Sequence, residues 1–150
     1  MKEIKAEQLY KQILKTVVIP LVGDDVTYLT DLERIGHLMF GVHFKGVYPS
    51  DKIPKLNDLK KYCILNLDRS DEPGSHWVAL AKTGNKTYFY DSFGRKNSKI
   101  LKNLEFSGNG RIIDTDKDVE QHFSENNCGA RCCAWLLFFD RYGAKNAMLI

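Results

Sequence analysis

The sequence predicts an α+β domain, and three observations carry that prediction. Two amphipathic helical patterns open the chain, short segments that read as paired strands fill its middle, and one long apolar run starts at Cys128. The expected architecture is a mixed, largely antiparallel central sheet packed on a buried helix that begins at Cys128. With 150 residues and no repeat, low-complexity tract or linker, the chain is expected to form one domain over 1–150 with a substantial core.

Residues 3–17 place Ala6, Leu9, Tyr10, Ile13, Leu14 and Val17 at helical spacing, and Pro20 and Gly23 follow as stop signals. Thr30-Asp-Leu-Glu33 has the form of a capping box. It predicts a second helix over 31–40 with Leu32, Ile35, Leu38 and Met39 on its buried side. A Gly- and Pro-rich loop is expected from Gly41 to Pro54. Strands are expected at Tyr62–Leu67, His76–Lys82 and Thr87–Asp91, a short helix over 97–105, and a strand at Arg111–Asp114. The run from Cys128 is apolar on nearly every side until Asp140, Arg141, Tyr142 and Gly143, which is the mark of a helix buried inside a domain.

Composition narrows the function classes. Hydrophobic residues make up 43% and charged residues 27%, ordinary for a globular protein. No apolar run reaches the roughly 18–20 residues of a membrane span, and the charged N-terminus does not read as a secretory signal. The 22 basic and 19 acidic residues leave a net charge of +3. Lys2, Lys5, Lys11 and Lys15, and again Lys52, Lys55, Lys60 and Lys61, read as solvated faces, with a weak nucleic-acid contact as the alternative. Four cysteines, three of them on one helix, are too few for a disulfide scaffold and fit a reducing compartment. Cys-x-x-x-Cys-Cys within a helix is not a zinc-ligand spacing, so no metal is expected.

The chemistry centres on Cys128. At the start of a buried helix, free backbone N–H groups and the positive end of the helix dipole favour a thiolate. A buried structural cysteine fits the same pattern. The hairpin supplies a candidate base. A two-residue Gly84-Asn85 turn sets Thr83 opposite Lys86, Leu80 opposite Phe89 and Val78 opposite Asp91. His76 then shares a face with Asp91, about 7–8 Å away as a diagonal neighbour. A three-residue turn would put them on opposite faces. An Asp beside a His can fix the imidazole tautomer, although such pairs also occur as plain structural hydrogen bonds. His122 has no carboxylate placed to orient it, and His37 and His43 read as structural. Cys132 and Cys133 lie deeper in the apolar segment, and Cys63 reads as a strand core residue.

Taken together, His76-Trp77, Tyr90-Asp91-Ser92-Phe93-Gly94, Gln121 and Cys128-Gly129 followed by Cys132-Cys133 resemble the adenovirus-type (adenain-like) maturation proteases. These belong to the group that includes the SUMO and ubiquitin-like-protein proteases, within the papain-like superfamily. The resemblance covers about residues 62–139. It implies Cys128 as nucleophile, His76 as general base and later acid, Asp91 as orienting carboxylate and Gln121 as oxyanion-hole donor. It further implies that Gly129 leaves room for a substrate backbone and that Trp77 packs beside the site; a core role for Trp77 is equally open. The seven-residue step from Gln121 to Cys128 and the Cys-Gly-x-x-Cys-Cys pattern look adenoviral. Tyr-Asp-Ser resembles the cellular branch, since adenoviral proteases tend to have Glu at that position.

The implied function is a thiol endopeptidase that cleaves capsid or virion precursor proteins during maturation, favouring a small residue before the scissile bond. Relatives of this compact kind occur in virophages, related mobile elements and large DNA viruses. The implied location is the infected host cell and the virion. The partner is a protein substrate, and no membrane is involved. The sequence requires no cofactor. The peptide activator of adenoviral proteases attaches through a disulfide, and residues 105–120 hold no cysteine to match. DNA activation rests on the mild basic charge alone. The rival readings are a ubiquitin-like or SUMO deconjugase, a protein acyltransferase using the same triad, and a non-enzymatic binding module.

Overall fold

The computed structural model describes residues 1–25, 27–68, 76–115, 119–121 and 125–150. It is an α+β fold built on a five-stranded mixed sheet in the order β1-β2-β3-β4-β5. The strands are β1 (Phe44–Pro49), β2 (Tyr62–Asn66), β3 (Trp77–Thr83), β4 (Lys86–Tyr90) and β5 (Arg111–Asp114). β2, β3 and β4 run antiparallel in sequence, whereas β1 joins β2 and β5 joins β4 in parallel. Side chains alternate across the sheet. Tyr62, Ile64, Trp77, Ala79, Ala81, Tyr88 and Tyr90 share one core cluster with the helices. Cys63, Leu65, Val78, Leu80 and Phe89 form a second cluster with Leu56, Leu101 and Leu104.

The first helix outruns its expected stop. α1 (Glu3–Ile13) passes through a π-helical turn (Leu14–Val18) into α2 (Ile19–Val22), and Gly23, at φ 87°, ends it. Pro20 lies in the first turn of α2, where the missing N–H is least costly, and the π turn before it absorbs the change of bonding.

The second helix, α3 (Leu29–Phe40), corrects two expectations. It begins at Leu29 after Tyr28, with no side-chain cap, so Thr30-Asp-Leu-Glu33 is not a capping box. Glu33 has a stronger tertiary use. Its carboxylate accepts the N–H of Val47 at 2.7 Å on the outer strand β1 and also pairs with His37. The buried face is Leu32, Ile35, Gly36 and Phe40; Leu38 is 68% exposed and Met39 is partly buried. Positions 32, 35, 36 and 40 follow the helical stripe, and Leu38 falls outside it.

β1 lies inside what reads as a loop. Gly46, at φ 135°, takes the slip in register between Phe44 and Gly46, and Pro49 closes the strand on the sheet edge, where its lost donor is tolerated. Gly36 lets α3 approach this strand: a Cβ there would stand 2.3 Å from the Phe44 ring. Gly36→Ala is therefore expected to destabilise the fold by about 1–3 kcal/mol, read as a lower urea midpoint at unchanged slope. An unshifted midpoint would show that Phe44 can move aside freely.

The hairpin has the expected register, with Thr83 opposite Lys86 and Leu80 opposite Phe89. The helix expected over 97–105 is two short pieces, α4 (Asn97–Ile100) and a 3₁₀ turn (Leu104–Phe106). They drop Leu101 and Leu104 into the second core cluster. α5 (Cys128–Tyr142) is buried from Cys128 to Phe139 and packs against β3, whose Ala79 and Ala81 stand on that side. A short α6 (Ala144–Ala147) follows, and Trp135 of α5 donates its indole N–H to the Ala147 carbonyl. Among the described residues no helix is long and apolar enough to cross a membrane.

Candidate active site

His76 immediately precedes β3 and Asp91 immediately follows β4, so the hairpin register brings them together at one end of the sheet. The imidazole Nε2 lies 2.7 Å from Asp91 Oδ1. That leaves Nδ1 as the ring nitrogen on the side of the Cys128 thiol, whose interaction with the imidazole helps to raise the His76 pKa. The hairpin and the buried helix therefore meet, and thiol, imidazole and carboxylate form one chain of contacts. All three residues are buried.

Asp91 is held on every side. Its Oδ1 also accepts the N–H of Phe93 at 3.2 Å, and its Oδ2 accepts Arg95 Nε at 2.7 Å and the Arg95 N–H at 3.3 Å. The Phe93 ring lies 4.8 Å from the imidazole, and the Arg95 guanidinium stands 5.3 Å from the same ring. Burial opposes the charged imidazole, but hydrogen bonds to Asp91 and Cys128 outweigh it and lift His76 above its usual value. Burial likewise opposes the Asp91 carboxylate, and hydrogen bonds from His76 and Arg95 overcome it and hold its pKa down.

These directions set a pH window. The share of stability contributed by His76 is complete below its unfolded value of about 6.5 and is lost as pH rises through its raised folded value. The share from Asp91 is complete above about 3.9 and is lost as pH falls through its lowered folded value. Asp91→Asn is expected to move the His76 titration, followed by NMR of the ring protons, to lower pH and to flatten the pH dependence of the urea midpoint. A titration that stays in place would show that Asp91 does not govern this imidazole.

Gln121 is buried and its amide is fixed at both ends. Oε1 accepts the Ser92 hydroxyl at 2.7 Å, and Nε2 donates to the Glu125 carbonyl at 2.6 Å. Among the described residues the second amide N–H has no partner. The Gln121 backbone N–H also reaches the Ser92 carbonyl at 2.9 Å, so the residue next to Asp91 anchors Gln121 to the same frame.

Gly129 has a packing reason to be glycine. A Cβ there would stand 2.0 Å from Thr27 Oγ1 and 3.2 Å from Leu32, which is a different reason from room for a substrate backbone. Trp77 is buried in the core cluster shared with α5. His37 pairs with Glu33, His43 bonds the Leu59 carbonyl, and His122 lies outside the described residues. Cys63, Cys132 and Cys133 are fully buried, and burial pushes all three thiols up, Cys133 to about 12.

Sequence reasoning missed Arg95, the roles of Ser92 and Phe93, and above all Arg131. The last had a visible signal: a guanidinium one turn after Cys128 in an otherwise apolar helix must find buried partners.

Fold and site together define an α+β protein with a thiol, an imidazole and a carboxylate gathered at the N-terminus of a buried helix. No protein-family model matches the chain. The chain is similar to a protein of Acanthamoeba polyphaga mimivirus named "Putative thiol protease". The two are 31% identical over 84 residues, a stretch that takes in 49% of this chain and 28% of the relative. The chain thus spans less than a third of the length of that relative.

Proposed function

We propose that the chain is a viral thiol endopeptidase of the adenain-like kind, cleaving capsid or virion precursor proteins during maturation in the infected cell and the particle. The observation that carries the reading is the buried imidazole held between Asp91 and the thiol that opens α5. The likeness to the mimivirus protein supports its viral, thiol-protease part. His76 takes the proton of Cys128, and the sulfur attacks the peptide carbonyl. The negative charge on the carbonyl oxygen meets the Cys128 backbone N–H and the second amide N–H of Gln121. As the C–N bond breaks, His76 returns the proton to the leaving amine, which departs and leaves a thioester. Water, deprotonated by His76, then hydrolyses the thioester and frees Cys128. Asp91 holds the ring orientation throughout.

The test is incubation of the purified chain with the proteins encoded beside it, with new N-termini read by mass spectrometry. Cleavage of virion precursors is expected. Release of a ubiquitin-like modifier from conjugates without precursor cleavage would move the same site to the deconjugase reading, which Asp91 in place of Glu favours.

A further inference from the structure

Arg131 lies one turn inside α5 and is buried, yet its guanidinium reaches three residues in two separate segments. Its Nε donates to Asn127 Oδ1 at 3.0 Å, one terminal nitrogen to Glu125 Oε2 at 3.4 Å, and the other to the Tyr10 hydroxyl at 3.4 Å. Asn127 and Glu125 belong to the segment that leads into Cys128. The Glu125 carbonyl is the acceptor that orients the Gln121 amide. Asn127 donates its Nδ2 to Asp24 at 2.7 Å, so it is fastened to the N-terminal segment as well. Tyr10 of α1 shares a 2.6 Å hydrogen bond with the hydroxyl of Tyr90, the residue before Asp91.

The side chain of Asn127 is a second indication. Asparagine at the residue before a helix normally turns its side-chain oxygen onto the first N–H groups. Here Asn127 makes no such cap, and its φ of −101° and ψ of 27° are not the extended values a capping residue adopts. Its oxygen is occupied by Arg131. The first-turn N–H groups of α5, which an oxyanion hole needs, are therefore left clear of this carbonyl.

We propose that Arg131 is a positioning residue. By clamping Asn127 and Glu125 to the N-terminal helix, it keeps the Gln121 amide and the first turn of α5 aimed at one oxyanion position. The assignment rests on the reading of the site as a thiol peptidase centre. Arg131 touches no reacting atom and acts through Gln121 and the helix start. A lysine could keep the charge but not the three-way fork.

The test combines turnover, alkylation and a double variant. Arg131→Gln is expected to lower kcat for a cleaved peptide about 10²-fold, the cost of a small misplacement, with KM little changed. Arg131→Lys should not restore it. Alkylation of Cys128 by iodoacetamide needs no oxyanion donor and should keep its wild-type rate. Adding Gln121→Ala to Arg131→Gln should cost clearly less than the product of the two separate losses. Where Arg131→Gln is unfolded by circular dichroism, Asn127→Ala breaks the same clamp from the loop side and is read the same way. A wild-type kcat in the folded variant, losses that multiply in the double variant, or a parallel loss of alkylation would each overturn the role of Arg131. An inert wild-type chain that cleaves no peptide would instead overturn the protease reading, and this assignment with it.

Discussion

Cys128→Ala is expected to abolish peptide cleavage, a fall of about 10⁶ in kcat, while leaving the fold unchanged by circular dichroism. The size follows from the chemistry, because among the described residues no second nucleophile is paired with His76. The other three thiols are no substitute. Cys63, Cys132 and Cys133 are fully buried and their pKa values are raised, so they hold their protons and are closed to substrate. The small effect on the fold follows from place, since Cys128 is the first residue of α5 and retains some exposure, at 7%. A chloroacetamide probe should label the wild-type chain at Cys128 alone, label His76→Ala more slowly, and leave Cys128→Ala unlabelled. Label appearing on Cys132 or Cys133 of the native protein would remove Cys128 from the nucleophile's place.

Gln121→Ala is expected to lower kcat by about 10²–10³ with KM nearly constant, because an oxyanion donor acts on charge that exists only in the transition state. Ser92 holds its oxygen and Glu125 takes one of its N–H groups, and among the described residues the other N–H has no partner. The substitution also strands the Ser92 hydroxyl, a cost of about 1 kcal/mol in stability that a thermal melt would register. A variant that turns over at the wild-type rate would show that Gln121 serves only to brace Ser92 and Glu125.

What could be read in the sequence followed the reach of each signal. The hairpin was legible because Gly84-Asn85 sets a two-residue turn, and the strand period carries that register as far as His76 and Asp91. The buried helix was legible because its apolar run is long. β1 was hidden by Gly46 and Pro49, two residues that punctuate loops but that an edge strand with a bulge can hold. The start of α3 does not show in the sequence because Glu33, which looks like a local cap, is spent on the N–H of Val47 fourteen positions away. Pro20 misled for a local reason, since the π turn ahead of it accommodates a residue that ordinarily stops a helix. The supports of the site are the least local of all. Tyr10 meets Tyr90 across 80 positions and Arg131 across 121, and no periodicity records such partners.

Three consecutive residues carry this arrangement. Tyr90 is tied to Tyr10, Asp91 to His76 and Arg95, and Ser92 to Gln121. All three inherit their direction from β4, and β4 inherits its phase from the tight turn at Gly84 and Asn85. That turn is itself hemmed in: a Cβ on Gly110 would stand 2.3 Å from the Asn85 carbonyl oxygen. One residue inserted there would reverse the parity of the strand and present each member of the triplet to its neighbour's partner. The spacing of a surface loop far along the strand is thus under the same constraint as the chemistry. Length variation in homologous chains should be scarce at this turn even where its side chains differ.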